Sequence, residues 1–177
     1  MKYRFAAAAA ALTLGVTAGL GAASAHHTYE VTVTNEMEDE LLAPILVAPV
    51  AEDGKIFVGR YVSNEAEHQI LTGEPEMLAE VIGESAAIGH GSDGPPGVLL
   101  APGESVTFTV PNGAARVRVL AMVAPTVYPD HYVTAVVPLN GEPVSVALDR
   151  FDIGYDEGRM QIEPVAEAVA TVSVGVM

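Results

Sequence analysis

Apolar and polar residues alternate along much of the chain after its first 25 residues, the period-two signature of half-buried β-strands. Tyr29, Val31 and Val33 fall on one face while Glu30, Thr32 and Thr34 fall on the other. Val106, Phe108 and Val110 repeat the pattern, as do Val117, Val119, Ala121 and Val123, opposed by Arg116 and Arg118. The C-terminal run Ala168–Met177 alternates again through Ala170, Val172, Val174 and Val176 and reads as a closing strand. Asn112-Gly113 and Asn140-Gly141 lie between such runs, and Asn-Gly favours the type I′ turn of a tight hairpin. The expected pairings are Ser105–Val110 with Ala115–Val123, and Tyr132–Leu139 with Val144–Leu148. Helix is scarce. Ser63-Asn64 can cap a short helix running through Ile70-Leu71, and Pro75–Ile82 followed by Gly83 has the proline-first, glycine-last order of another. Ser92–Pro102, rich in glycine and proline, reads as a loop. Many short strands and one or two short helices predict an all-β, antiparallel β-sandwich.

The first 25 residues follow a different pattern. Lys2 and Arg4 precede an uncharged apolar run from Phe5 to Leu20, and Ala23-Ser24-Ala25 has the small-x-small form of a cleavage site. This is the three-part layout of a secretory signal peptide, and its apolar run falls short of the ~20 residues a membrane span needs. The expectation is cleavage after Ala25, a mature domain from residue 26 to 177 that is secreted or periplasmic, and no transmembrane segment in it. About 150 residues are enough for one domain with a sizeable core, and no linker divides them.

Composition narrows the partners. The formal charge is −15, and loss of Lys2 and Arg4 makes it more negative by two. Such a surface repels nucleic acid and attracts cations. The chain contains no cysteine, so export brings no disulfide framework and the fold depends on its apolar core.

Several segments, taken in order, resemble the spondin domain, the N-terminal module of F-spondin that also occurs alone in exported bacterial proteins. Tyr29–Asn35 (YEVTVTN) resembles the family's opening strand. Ile56–Gly59, Ala66–Leu71 and Leu78–Gly83 fall where the family has a glycine-containing strand end and a short helical region. Val98–Val110 (VLLAPGESVTFTV) is similar to its Pro-Gly-Glu-Ser strand. Leu120–Val136 (LAMVAPTVYPDHYVTAV) resembles the segment in which Met, Pro-Thr, Asp and an aromatic follow one another, with Met122, Pro125, Thr126, Asp130, Tyr132 and Val133 at matching positions. Gly154–Gly158 (GYDEG) looks like its Tyr-Asp-x-Gly motif. The resemblance covers most of the mature chain. It implies a C2-like antiparallel β-sandwich and a secreted, non-catalytic binding or surface-associated role toward an extracellular or cell-surface ligand. It also implies calcium as the bound cation, held by Asp130 and Asp156; Glu157, outside the matched positions, is a neighbouring acid that can serve as a third carboxylate. The chain departs from the family where Arg159 and Met160 replace a threonine and a second acid, where Thr134 and Ala135 replace Gly-Asp, and where the animal members' cysteines are missing.

Read without the resemblance, Asp130 has two open meanings: a turn-forming residue after Pro129, or an oxygen ligand for a hard cation. Asp149–Glu157 (DRFDIGYDEG) is acidic and aromatic but lacks the spacing of an EF-hand loop. A second metal reading starts at the processed terminus. His26 would offer a free α-amine and an imidazole, one arm of a copper-binding histidine brace, with the second arm drawn from His68, His90 or His131. On that reading the protein is a periplasmic copper-binding β-sandwich. A frayed terminus without a role is the competing reading of the same residues. Gly89–Gly97 (GHGSDGPPG) lacks the Lys-Ser/Thr of a phosphate-binding P-loop, and His90 stands where a nucleophile elbow needs glycine. No catalytic residue is assigned, and the expectation is a binding module rather than an enzyme.

Overall fold

A computed structural model describes residues 28–94, 96–110, 113–124 and 130–176. The expected signal peptide and His26 therefore lie outside the described residues. The antiparallel β-sandwich read from the alternation is what forms. Its strands are β1 (Tyr29–Asn35), β2 (Leu41–Leu42), β3 (Ile45–Pro49), β4 (Phe57–Val58), β5 (Tyr61–Val62), β6 (Ala87–Gly89), β7 (Ser105–Val110), β8 (Arg116–Ala124), β9 (His131–Pro138), β10 (Val144–Asp152) and β11 (Glu163–Val176). All but β4 and β5 belong to one antiparallel sheet in the order β6-β3-β8-β9-β10-β11-β1-β7, with β2 added against the end of β8. The sheet curls until its two edge strands meet. A Cβ placed on Gly89 of β6 would lie 2.3 Å from the Phe108 ring of β7, so the edges touch there and a side chain at position 89 would have to displace the ring.

The curled sheet encloses the principal core. Val31 and Val33 of β1, Val117, Val119, Ala121 and Val123 of β8, and Ala170, Val172 and Val174 of β11 all point into it, as their alternation requires. Strands β3 and β8 are apolar on their other face too. Leu46, Ala48 and Leu120 point outward and are covered by Ile56, Ile70, Leu78 and Ile82, supplied by three short helices. These are α1 (Asp53–Ile56), α2 (Asn64–Thr72) and α3 (Glu76–Ile82). Arg118 ties α1 to the sheet: its guanidinium donates to both Asp53 oxygens at 2.8 Å and lies 4.9 Å from the Phe57 ring centroid. Among the described residues no helix is long and apolar enough to cross a membrane.

The helix ends follow their sequence signals. Ser63 Oγ accepts the Ala66 N–H at 3.2 Å and Gly73 closes α2 with a left-handed backbone, while Pro75 and Gly83 bracket α3. The helix α1 adds a third to the one or two expected.

Strand partners depart from expectation. Ser105–Val110 pairs with β1 rather than with Ala115–Val123, and Asn112 of the expected Asn-Gly turn lies outside the described residues. Tyr29 stands opposite Val110 and Thr34 opposite Ser105, with the Thr32 and Thr107 hydroxyls 2.7 Å apart between them. β9 and β10 are neighbours, but they pair at the ends remote from Asn140-Gly141: Thr134 with Asp149 through His131 with Asp152. Val144–Leu148 pairs instead with β11. The closing strand is also longer than Ala168–Met177, beginning at Glu163. At its bend Ala168 takes φ 53° and gives its N–H to Asp149 Oδ1 at 3.0 Å.

Candidate metal-binding pole

The β9–β10 pairing determines what gathers at one end of the sheet. It sets His131, the first residue of β9, opposite Asp152, the last of β10, with Asp130 just before one and the 153–160 segment just after the other. Beyond Asp152 the chain makes a compact turn. Asp152 Oδ1 accepts the Gly154 N–H, and Gly154 takes φ 67° with its oxygen bonded to the N–H groups of Arg159 (2.8 Å) and Met160 (3.0 Å). A Cβ on Gly154 would lie 3.0 Å from that of Arg159, so positive φ and crowding both call for glycine.

The turn hangs over Asp130. Asp130 Oδ2 accepts the N–H groups of Tyr155 at 2.7 Å and Asp156 at 3.2 Å. Asp130 is only 1% exposed, and its Oδ1 has no hydrogen-bond partner among the described residues. A buried carboxylate oxygen without a partner costs ~1–3 kcal/mol or more, so this atom calls for a donor or a cation. Asp156 and Glu157, both exposed, stand at the mouth. One ligand atom from each of Asp130, Asp156 and Glu157 lies within 4.8 Å of the others. The structure thus brings together all three carboxylates named for calcium.

Electrostatics at the mouth are those of crowded acids. Asp156 holds its proton above the usual carboxylate range, first because its side chain shares a hydrogen bond with Glu157, then through partial desolvation and the Asp130 charge. Glu157 is held lower, first by its hydrogen bond to Arg159 and then by that to Asp156. Three oxygen-bearing groups of one sign suit a hard cation such as calcium, which takes 6–8 oxygens and leaves the remainder to water or main chain.

A second grouping, Asp130, His131 and Asp152, is buried and shares Asp130 with the first. Its atoms are already engaged by arginines. Arg150 Nε donates to His131 Nδ1 at 2.9 Å, and Arg159 Nη2 donates to Asp152 Oδ2 at 2.6 Å. Burial first, then the Arg150 charge, holds the His131 imidazole below its usual pKa, so the ring is neutral with its proton on Nε2. Arg150 in turn grips Glu40 with both terminal nitrogens. Two guanidinium groups fill this inner grouping, whereas the outer one contains the orphaned carboxylate oxygen. The outer one is the better cation site.

Asp152, Arg150, Glu40 and the ion pairs of Arg159 are absent from the sequence reading of this pole. The available signal was the register of β9 on β10, which the Asn-Gly turn misdirected. His68 lies on α2 with Nε2 3.4 Å from a Glu74 oxygen, and His90 lines a surface cleft of about 660 Å³ beside Gly73 and Met122. Neither belongs to a metal-ligating group among the described residues. No protein-family model matches the chain, and no curated protein sequence does.

Proposed function

We propose that the chain is an exported, non-catalytic binding module of the spondin type, whose pole holds one calcium ion between Asp130, Asp156 and Glu157. The observation that carries this is the buried Asp130 oxygen left without a partner beside two exposed carboxylates. The leader-like first 25 residues and the acidic balance of the chain support the same reading, because exported calcium modules work where calcium is abundant. The role of the ion is structural and adhesive: it ties the 154–158 turn to the start of β9 and so stiffens the surface offered to an extracellular partner. With three carboxylates and a nearby arginine, the affinity falls in the weak class of extracellular modules, a Kd of about 1 mM.

Thermal melting of the chain from His26 onward tests this. A ligand that binds only the folded state stabilises by mass action, so 10 mM calcium should raise the midpoint by about 4 °C over the value in EDTA. Equal midpoints in the two buffers would sink the reading. Magnesium should raise the midpoint less, because its smaller octahedral shell is harder to satisfy from carboxylates spread this way.

A further inference from the structure

Arg159 stands where the resembling family has a threonine, and in this fold its side chain is the cation within a ring of acids. Its Nη2 lies 2.6 Å from Asp152 Oδ2 and 2.9 Å from Glu157 Oε2, and its Nη1 pairs with Glu163. Glu157 is therefore shared between two claims, the guanidinium and the outer carboxylate group with Asp130 and Asp156. We propose that Arg159 is a built-in counter-cation that competes with calcium for Glu157 and sets the affinity of the pole. This inference rests on the calcium reading of that pole.

The physical case has three parts. A guanidinium on Glu157 places a positive charge beside the position a divalent ion must take, and two cations that close repel strongly at a half-exposed site. The fork of Arg159 can hold Asp152, Glu157 and Glu163 together, which engages Glu157 Oε2 while the same side chain stands beside Asp130 and Asp156. The main chain does not need the guanidinium to make the turn, since the N–H of Arg159 bonds Gly154 O and Asp130 Oδ2 holds Tyr155 and Asp156. Calcium binding is then an exchange of partners. Glu157 leaves Arg159 for the ion, and Arg159 keeps Asp152 and Glu163.

Calorimetric titration of the chain from His26 onward with calcium chloride tests the exchange. Arg159→Gln removes the competing charge and should tighten calcium binding about tenfold. Arg116→Gln makes the same change of net charge at the opposite end of β8 and should leave the affinity unchanged. A role confined to holding the turn would make Arg159→Gln bind more weakly. Weaker or unaltered binding by Arg159→Gln, or equal tightening by Arg116→Gln, overturns the proposal while leaving calcium binding itself intact. Binding seen only in Arg159→Gln supports it, with the guanidinium closing the wild-type site. No binding by the wild type or by any variant overturns the calcium reading and this inference together. Should Arg159→Gln fail to fold by circular dichroism, Arg159→Lys decides. A lysine keeps the charge but cannot span three carboxylates, so it should tighten binding by a smaller factor, and a wild-type affinity there overturns the proposal.

Discussion

Asp130 and Tyr155, 25 residues apart, are joined by a 2.7 Å hydrogen bond from the Tyr155 N–H to the Asp130 carboxylate. That bond makes Asp130 the peg on which the 154–158 turn hangs. It bears on both meanings the residue has in the sequence, since one carboxylate oxygen serves the turn and the other has no hydrogen-bond partner among the described residues. The variants separate them. Asp130→Ala strands the Tyr155 and Asp156 amides and should cost about 2–3 kcal/mol in urea unfolding. Asp130→Asn retains one acceptor oxygen, so it should cost less than the alanine variant, yet it removes the charge and should abolish any shift of the melting midpoint by calcium. An Asn variant that melts higher in calcium by as much as the wild type would separate Asp130 from the metal.

Asp130, Asp156 and Glu157 were legible as single residues, but the inner half of the pole was not. Asp152 and His131 meet because β9 and β10 pair at their far ends, and sheet register is set by non-local packing that a turn dipeptide does not report. The same limit explains β7, whose partner is β1. Strand β3 was hidden for another reason. Ile45–Ala48 is buried on both faces, so it reads as a short apolar run with no alternation to reveal it. What the sequence made plain was local: the one-faced alternation of β1, the valines of β8, and the Ser63 cap of α2.

Closure of the sheet makes its own prediction. Gly89→Ala would set a methyl carbon 2.3 Å from Phe108, inside any allowed contact, so the ring, partly buried against the core, has to shift. The expected cost is about 1–3 kcal/mol, the usual penalty of overpacking. Phe108→Leu should recover part of that loss in the double variant although it is itself destabilising. A Gly89→Ala variant with wild-type stability would mean that the two edges are not in contact in solution.

The Glu40–Arg150 pair is enclosed, with Arg150 11% and Glu40 26% exposed at the side chain. Removing one partner from such a pair leaves a charge with poor solvation, so Glu40→Gln should cost about 2–3 kcal/mol. Replacing both, as Glu40→Gln with Arg150→Met, should cost less than either single change, because no uncompensated charge remains and His131 loses only one donor. Chemical unfolding of the four proteins gives the coupling energy directly. Additive losses would show that the pair contributes nothing beyond its separate packing.

Tyr132 links the fold to pH. Its side chain is 1% exposed on the helix-covered face and its ring stacks on Phe151 with centroids 5.6 Å apart. Burial raises the phenol above its ordinary value of about 10, an effect that the nearby Arg118 charge only partly offsets. The folded state therefore holds the phenolic proton more tightly than the unfolded chain does. The stability due to this proton is complete below pH ~10 and declines as pH rises from there toward the folded value, by up to about 1.4 kcal/mol for each pH unit. Tyr132→Phe keeps the stacked ring and removes the titrating group, so its urea midpoint should fall less steeply than that of the wild type between pH 9.5 and 11. Parallel declines in the two proteins would place the alkaline sensitivity on other groups and show that the Tyr132 hydroxyl reaches solvent.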